Sequence, residues 1–341
     1  MNTQLWINQD IINEICKHTS TNLSIIRFLS TNRLMHSIKN KINCYYTVIV
    51  NYNIIQLWYY NQFTKIIIKQ KYVLPINVKK ITFGKFFNHD IKNFILDNVT
   101  HLIFGHQFNK NIKDRLPINL QHLVFGNSFN KNIKDCLPKN LKRLTFGHAF
   151  NHYIDDCLPD SLTHLTFGNM YNQKIQQKLP INLTHLTFGY FFNKSIRGYL
   201  PENLTHLSFG YEFNQCIQNC LPKNLTHLAF GYEFNQDIKD CLPDSITHLI
   251  FGNMFDRDIQ GCLPKNLIHL GLGNCFQHNI NNVLPKSITY LILNNRYYPF
   301  DINVADLPKL CGILISDFYK GNINVPANCQ IFKLNDKYQV L

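Results

Sequence analysis

The sequence predicts an α+β protein in which a short helical N-terminal module precedes a solenoid of 21-residue turns, each contributing one short parallel strand. Three observations support this prediction. A Phe-Gly pair returns every 21 residues through most of the chain, apolar and polar residues alternate just before each pair, and the apolar residues of the first 44 positions have helical spacing. A fixed period of roughly 20–50 residues is typical of repeat architectures, in which stacked neighbours share one core.

The repeating unit reads approximately L-P-x-N-L-x-H-L-x-F-G-x-x-F-N-x-x-I. In a representative unit, Leu186 and Phe188 alternate with the polar residues His185 and Thr187. Alternation of this kind predicts a short strand whose apolar side chains point into the core and whose polar side chains point outward.

Other conserved-looking positions of the unit are interpreted as turn and core residues. We expect Gly189 to supply the backbone freedom that lets the chain leave the strand at once. Ile196 returns to the core, and Pro201 ends the return segment because its ring restricts the backbone. The residues assigned to the repeat framework are Phe104, Gly105, Phe125, Gly126, Phe188, Gly189, Asn193, Ile196 and Pro201.

The chain divides into four segments by pattern. Residues 1–44 do not repeat and form the helical module, and residues 45–73 are β-branched and aromatic, which predicts connecting strands. Residues 74–293 contain about ten clear repeats and one decayed repeat. Residues 294–341 are interpreted as degenerate repeats that close the array, since an open end would expose core and strand edges.

Composition limits the functional class. The formal charge is +13, but charged residues make up only 16% of the chain. No apolar run approaches the roughly 20 residues that a membrane span needs, and the N-terminus lacks a cleavable apolar core. The eleven cysteines are interpreted as small buried residues in a reducing compartment. We therefore expect a cytoplasmic protein (host-cell cytoplasm if viral) with no membrane partner.

The combination of "FGxxFNxxI" with a preceding "LPxNLxHL" resembles the FNIP repeat, a short relative of the leucine-rich repeat known from amoebae and from giant viruses that infect them. The resemblance covers about residues 74–293 and implies a leucine-rich-repeat-like solenoid. One departure from common leucine-rich repeats concerns the ladder asparagine. The asparagine of "FN" lies two residues beyond the usual position, so the resemblance does not determine the curvature of the solenoid.

The N-terminal module resembles an F-box. The opening "DIINEI" (10–15) and the later "FLSTNRLMHSI" (28–38) are similar to that family's first helix and closing segment, although the usual Leu-Pro start and a late Trp are missing. The resemblance implies docking onto the small adaptor subunit of a cullin-RING ubiquitin ligase. The adaptor-binding residues would be Ile11, Ile12, Ile15, Leu29 and Met35. The alternative is a helical cap for the solenoid.

One outward position of the repeat is held mostly by histidine. We call it the histidine column: Lys80, His101, His122, Arg143, His164, His185, His206, His227, His248, His269 and Tyr290. Collinear side chains on one sheet face cannot surround a metal ion, and the flanking column has no carboxylate to orient a catalytic base. The column is therefore interpreted as a solvent-facing polar surface or as a recognition strip. Repulsion between stacked like charges predicts that it is mostly neutral near pH 7.

The residue after the glycine varies between repeats. Three successive units place Tyr190, Tyr211 and Tyr232 there, and we call these the tyrosine stripe. Tyrosine is enriched at interface hot spots, although the composition of the chain could also account for exposed tyrosines. The predicted target-binding residues are Tyr190, Tyr211, Tyr232, Arg143, His164, His185, His206 and His227.

No phosphate-binding loop, dinucleotide fingerprint, zinc spacing or nucleic-acid module is found in the sequence. The sequence therefore predicts a non-enzymatic interaction module without a cofactor or a nucleic-acid partner. The favoured function is recruitment of an unknown target protein to a ubiquitin ligase. The alternative is a stand-alone repeat scaffold that binds a host protein without ubiquitination.

Overall fold

The computed structural model describes residues 44–50, 63–69, 73–92, 94–95 and 97–334. The chain divides into two compact units, residues 1–141 and 142–341, which are described separately below. The helical module predicted for residues 1–44 lies outside the described residues except for its last position, and it remains a prediction. No helix capable of crossing a membrane occurs in the described part of the chain.

Regular structure in the described residues consists of short strands. Most strands of the repeats have three or four residues. The residue that faces inward is buried, as Leu186 is in the strand His185–Thr187. The strands are β1 (Cys44–Val50), β2 (Phe63–Ile68), β3 (Lys80–Phe83), β4 (His101–Ile103), β5 (His122–Val124), β6 (Arg143–Thr145), β7 (His164–Thr166), β8 (His185–Thr187), β9 (His206–Ser208), β10 (His227–Ala229), β11 (His248–Ile250), β12 (His269–Leu272), β13 (Tyr290–Leu293), β14 (Ile302–Asn303), β15 (Gly312–Ser316), β16 (Ile323–Asn324) and β17 (Gln330–Leu334).

Strand pairing confirms the predicted solenoid of parallel 21-residue turns. In the first unit β1 to β5 pair in chain order, and in the second unit β6 to β13 pair in order and continue through β15 and β17. Strands β14 and β16 form a separate parallel pair. His185 lies beside His206, and His206 lies beside His227. From β3 to β5 and from β6 to β13 no residue is inserted or deleted, so each strand residue pairs with its equivalent 21 positions away.

Two aromatic columns run through the core of most repeat turns. Phe188 leaves the strand and stacks on Phe192 of the same turn with a centroid distance of 3.8 Å. Phe188 also stacks on Phe209 of the next turn at 5.6 Å, and Ile196 completes the core with no exposed surface. Phe104 and Phe125 form the same stack in the first unit. Burial of such side chains in adjacent turns is the main stabilising term, because one turn alone has too little core.

The glycine after each strand is required by close packing and not by backbone freedom, so the reason expected from the sequence is wrong. Gly189 does not have a positive φ, and a Cβ added to it would lie 2.0 Å from the carbonyl oxygen of Gly168. A Cβ added to Gly105 or to Gly126 would likewise clash with the carbonyl oxygen of the glycine one turn earlier. Neighbouring turns thus approach so closely at this point that only a hydrogen fits.

Positive φ occurs instead two residues before the Leu-Pro pair in most turns. Asp156, Asn219 and Asp240 have φ values between 55° and 56°, and Gly198 has a φ of 82° with open space around it. Asp, Asn and Gly tolerate this left-handed conformation better than other residues do. The return segment therefore makes its tight turn here.

The asparagine of the "FN" pair forms a hydrogen-bonded ladder. The Oδ1 atom of Asn193 accepts the backbone N–H of Asn214 at 3.1 Å, and Asn193 itself donates its N–H to Asn172 at 3.0 Å. A second set of contacts forms in several turns that have Asn two residues after the proline. The Nδ2 of Asn182, for example, donates to the backbone oxygen of Asp160 at 2.8 Å. The displaced asparagine therefore bonds turn to turn, which the sequence comparison with common leucine-rich repeats had not predicted.

One turn carries a polar defect in the aromatic core. Tyr171 occupies the position of Phe192 and stacks between Phe150 and Phe192 at about 6 Å, with no exposed surface. Its buried hydroxyl has no hydrogen-bond partner. Tyr298 offers a contrast, because its hydroxyl accepts the N–H of Ile280 at 3.0 Å and donates to the carbonyl of His278 at 2.8 Å.

We expect Tyr171→Phe to raise the free energy of unfolding by about 1–2 kcal/mol, since it removes a buried polar group that lacks a partner. Tyr298→Phe is the matched control and should lower the free energy of unfolding by about 1–2 kcal/mol, since it leaves the Ile280 N–H unpaired. Urea denaturation of the full chain, followed by far-UV circular dichroism, measures both effects. A loss of stability in Tyr171→Phe would contradict this account.

Candidate functional site

The candidate site lies on the outward face of strands β6 to β11 in the second unit. The inward leucine of each strand is buried, and the residues on either side of it face outward, as in His185 and Thr187 around Leu186. Between β8 and β11 these outward side chains line a shallow groove of about 380 Å³, which we call the strand-face groove. Its lining residues are His185, Leu186, Thr187, His206, Leu207, Ser208, His227, Leu228, Ala229, His248 and Ile250.

The histidines of the second unit stack on one another along this groove. The ring centroids of His164, His185, His206, His227 and His248 are 4.1–4.2 Å apart with nearly parallel planes. The stack ends at His269, whose ring lies edge-on to that of His248. Arg143 begins the column on β6 and is exposed. In the first unit, His101 and His122 stack in the same way at 4.1 Å.

A threonine before each histidine orients the imidazole ring. In six turns the threonine Oγ1 lies 2.9 Å from the Nδ1 of the following histidine, for example between Thr205 and His206. The same Oγ1 lies 3.1 Å from the carbonyl oxygen of Thr184, one turn earlier. This contact was not predicted from the sequence, although the recurring Thr-His dipeptide was a visible signal.

Burial and neighbouring histidines lower the pKa values of His185, His206 and His227. Burial is the largest cause for His185, followed by His206, His164 and Arg143, and together they lower its pKa from 6.5 to about 4. The pKa of His227 also falls to about 4, first through burial and then through His206 and His248. The sequence predicted this direction from like-charge repulsion alone, whereas the structure adds burial as the larger cause.

The tyrosine stripe lies beyond the glycine on three of these turns. Adjacent rings of Tyr190, Tyr211 and Tyr232 are stacked with centroids 4.5 Å apart. Tyr190 is 39% exposed and Tyr232 is 36% exposed. Burial, followed by the two flanking tyrosines and then Glu233 and Glu212, raises the pKa of Tyr211, so its phenol stays neutral.

The structure places all eight predicted target-binding residues in the second unit. Arg143, the four histidines from His164 to His227 and the tyrosine stripe all belong to turns of the second unit. The predicted adaptor-binding residues lie outside the described residues: Ile11, Ile12, Ile15, Leu29 and Met35. Their role stays a prediction.

We predict that His185 and His227 titrate near pH 4 in the folded protein. Because their folded pKa values lie below the ordinary 6.5, the unfolded chain binds more protons than the folded chain between these limits. The stability contributed by the neutral rings is therefore complete above about pH 6.5 and is lost as the pH falls toward 4.

An NMR titration of the imidazole Cε1 protons measures these pKa values directly. His206→Gln should raise the pKa of His185, since His206 is the largest cause of its low pKa after burial. Urea unfolding at pH 7 and pH 5 should show lower stability at pH 5. A His185 midpoint near 6.5 in the parent protein would show that the stack does not disfavour protonation.

The parallel strands, the 21-residue period and the asparagine ladder define a leucine-rich-repeat-like solenoid, an architecture that serves as a scaffold for protein interactions. The FNIP Repeat family matches the chain in nine segments: residues 68–107, 87–128, 108–149, 129–170, 171–212, 192–233, 213–254, 234–275 and 255–296. These segments run without a gap and cover well over half of the chain. The protein therefore belongs to the FNIP-repeat family.

Solved structures include a similar protein. CroV588, described as a novel circular leucine-rich-repeat protein, is 39% identical with a TM-score of 0.72, and the match covers 80% of this chain and 43% of that one. The chain thus spans less than half the length of CroV588. YopM from Yersinia enterocolitica WA-314 is 20% identical with a TM-score of 0.49, over 81% of this chain and 62% of that one. No curated protein is detectably similar in sequence.

Proposed function

We propose that the protein is a non-enzymatic receptor that binds a target protein in the cytoplasm through the tyrosine stripe and the strand-face groove. The observation that carries this proposal is the stacked, partly exposed tyrosine stripe, which follows the groove-lining strand residues by three positions in the same turns. The other aromatic columns of these turns, such as that of Phe188 and Phe209, are buried.

Two physical features favour the stripe as the contact region. Stacked rings already have restricted side-chain rotations, so a partner that packs on them loses less conformational entropy than it would on free side chains. Tyrosine also combines an apolar ring with a polar hydroxyl, and it is enriched among binding hot spots. A protein that covers the stripe and the adjoining groove would bury both kinds of surface at once.

The test of the target site is a triple variant with Tyr190, Tyr211 and Tyr232 each changed to Ser. We expect target capture by the full chain to fall about 30-fold or more, which corresponds to the roughly 2 kcal/mol that defines a hot spot. The control changes two exposed tyrosines outside the stripe, Tyr153 and Tyr297, to Ser. Quantitative mass spectrometry of proteins captured from amoebal cytosol compares the three chains. Equal capture by the triple variant and the control would place the target site elsewhere.

A second part of the proposal concerns residues 1–44. Their resemblance to an F-box supports a role as the substrate-recruiting subunit of a cullin-RING ubiquitin ligase, in which this segment docks the adaptor and the solenoid holds the target. In the alternative, the protein is a stand-alone scaffold that binds a host protein without ubiquitination. The two functions differ in whether the apolar face around Ile11 and Ile15 contacts an adaptor.

We expect Ile11→Asp combined with Ile15→Asp to abolish recovery of a ligase adaptor, because two carboxylates would interrupt the apolar docking face. Asn8→Asp with Asn13→Asp adds the same charge at polar positions of the segment and should leave recovery unchanged. Immunoprecipitation of the full chain with detection of the adaptor provides the measurement. If the parent chain recovers no adaptor, or if the isoleucine variant recovers as much as the parent, the scaffold alternative replaces the ligase.

A further inference from the structure

The turns from His185 to Glu233 place hydrogen-bond acceptors beside stacked aromatic rings. We call it the acceptor surface, and its members are His185, His206, His227, Tyr190, Tyr211, Tyr232, Glu212 and Glu233. The chain as a whole has a formal charge of +13. The named members of this surface include two carboxylates and no lysine or arginine, although the whole chain has a positive net charge. The partner that fits this surface is therefore different from the acidic partner that the net charge alone would favour.

The threonine hydroxyls determine the tautomer of the neighbouring imidazole rings. The Oγ1 of Thr205 has one proton and lies within hydrogen-bond distance of two atoms, the Thr184 carbonyl oxygen at 3.1 Å and His206 Nδ1 at 2.9 Å. A carbonyl oxygen can only accept. Both contacts are hydrogen bonds only if the hydroxyl donates to the carbonyl and Nδ1–H donates to the hydroxyl.

The opposite direction of the hydrogen bond between Thr205 and His206 is less favourable. The hydroxyl would then donate to Nδ1, and two oxygens 3.1 Å apart would face each other without a proton between them. The Thr184 carbonyl also accepts the backbone N–H groups of Thr205 and His206, so it is a point where donors converge. The same pair of side-chain contacts recurs at Thr184 and Thr226, beside His185 and His227.

With the proton on Nδ1, the Nε2 atom of each neutral ring carries a lone pair and can only accept a hydrogen bond. The low pKa values of His185 and His227 oppose conversion of these rings into cationic donors near pH 7. The stack thus forms a row of neutral acceptors along the strand-face groove.

Two carboxylates extend this acceptor character to the tyrosine stripe. Glu212 and Glu233 lie on neighbouring turns, and their backbone N–H groups donate to the carbonyl oxygens of Tyr190 and Tyr211 at 2.9 Å. Both act on the pKa of Tyr211, which indicates that their charges lie near its ring. Neither forms an ion pair within the described part of the chain. The other residues of their column are uncharged in the second unit up to Cys275: Ala149, Met170, Phe191, Met254 and Cys275.

We propose that the acceptor surface binds a basic, arginine-bearing segment of the target protein. Guanidinium N–H groups donate to the histidine Nε2 atoms and to the Glu212 and Glu233 carboxylates. An acidic segment is disfavoured, because it would face lone pairs and carboxylates. This inference rests on the proposed target site and specifies the chemistry of its partner.

Fluorescence anisotropy with two labelled peptides tests the partner chemistry on the full chain. At pH 7 and about 0.15 M ionic strength, an octa-arginine peptide should bind and an octa-glutamate peptide should not. Glu212→Gln with Glu233→Gln should weaken octa-arginine binding about tenfold or more, as expected for the loss of charge-assisted hydrogen bonds. Glu202→Gln with Asp244→Asn changes the net charge equally at exposed positions outside the surface and should leave binding unchanged.

Nitrogen-15 NMR tests the tautomer independently of any peptide. Correlations between ring protons and ring nitrogens distinguish Nδ1–H from Nε2–H, and we expect Nδ1–H for His206 in the parent chain. Thr205→Ser keeps the hydroxyl and should keep this tautomer, whereas Thr205→Val removes it and should shift His206 toward Nε2–H. An Nε2–H tautomer in the parent chain would overturn the acceptor row.

The outcomes separate this inference from the proposed target site. If the tyrosine triple variant loses its target while octa-glutamate binds as well as octa-arginine, the target site stands and the basic-partner inference is wrong. If the Glu212 and Glu233 double variant binds octa-arginine as strongly as the control variant does, the inference is also wrong. If octa-arginine binding requires both carboxylates, the inference is supported even where target capture does not depend on the tyrosines.

Discussion

The approach of successive turns at the post-strand glycine is the constraint on which the rest of the structure depends. A Cβ on Gly210 would lie 1.9 Å from the Gly189 carbonyl oxygen, so no larger residue fits without moving the turns apart. Parallel strands pair at about 4.8 Å, and the turns can keep that separation only if nothing intrudes at this point. An invariant repeat length follows, because one extra residue would move a side chain into the glycine position.

In-register stacking places each repeat residue beside the equivalent residue of the next turn. Phenylalanine therefore packs on phenylalanine in the core, as Phe192 does on Phe213 at 6.2 Å, and each asparagine bonds the next one in the ladder. Polar columns are subject to the same rule. A side chain persists through many turns only if it tolerates contact with a copy of itself, which neutral aromatic rings and self-complementary amides do. This requirement explains why so few residue types fill the framework.

Sequence periodicity predicted the strands and their inward and outward faces, because alternation around residues such as Leu186 shows which side chains point into the core. It gave no information about the distance between atoms of successive turns. The glycine was therefore assigned to backbone freedom, when the close carbonyl of the previous turn is the reason. The asparagine ladder was not predicted because it joins atoms of residues 21 positions apart in sequence. The Thr-His contact was not predicted because it depends on the orientation of the imidazole ring. The predicted surface columns were identified as residues, but their stacking geometry and tautomer required coordinates.

The short distance between successive turns also explains why histidine occupies the outward column, where adjacent ring centroids are 4.1 Å apart. Two unit charges about 4 Å apart interact by about 4 kcal/mol at an effective dielectric constant of 20, so a continuous column of lysines or arginines would destabilise the stack. Histidine avoids this cost because its ring can lose the proton, and burial in the stack favours that loss at His185. Arg143 is compatible with the column as a single cation at one position. The net positive charge of the chain is consequently excluded from the strand-face groove, which leaves that surface free to accept donors from a partner.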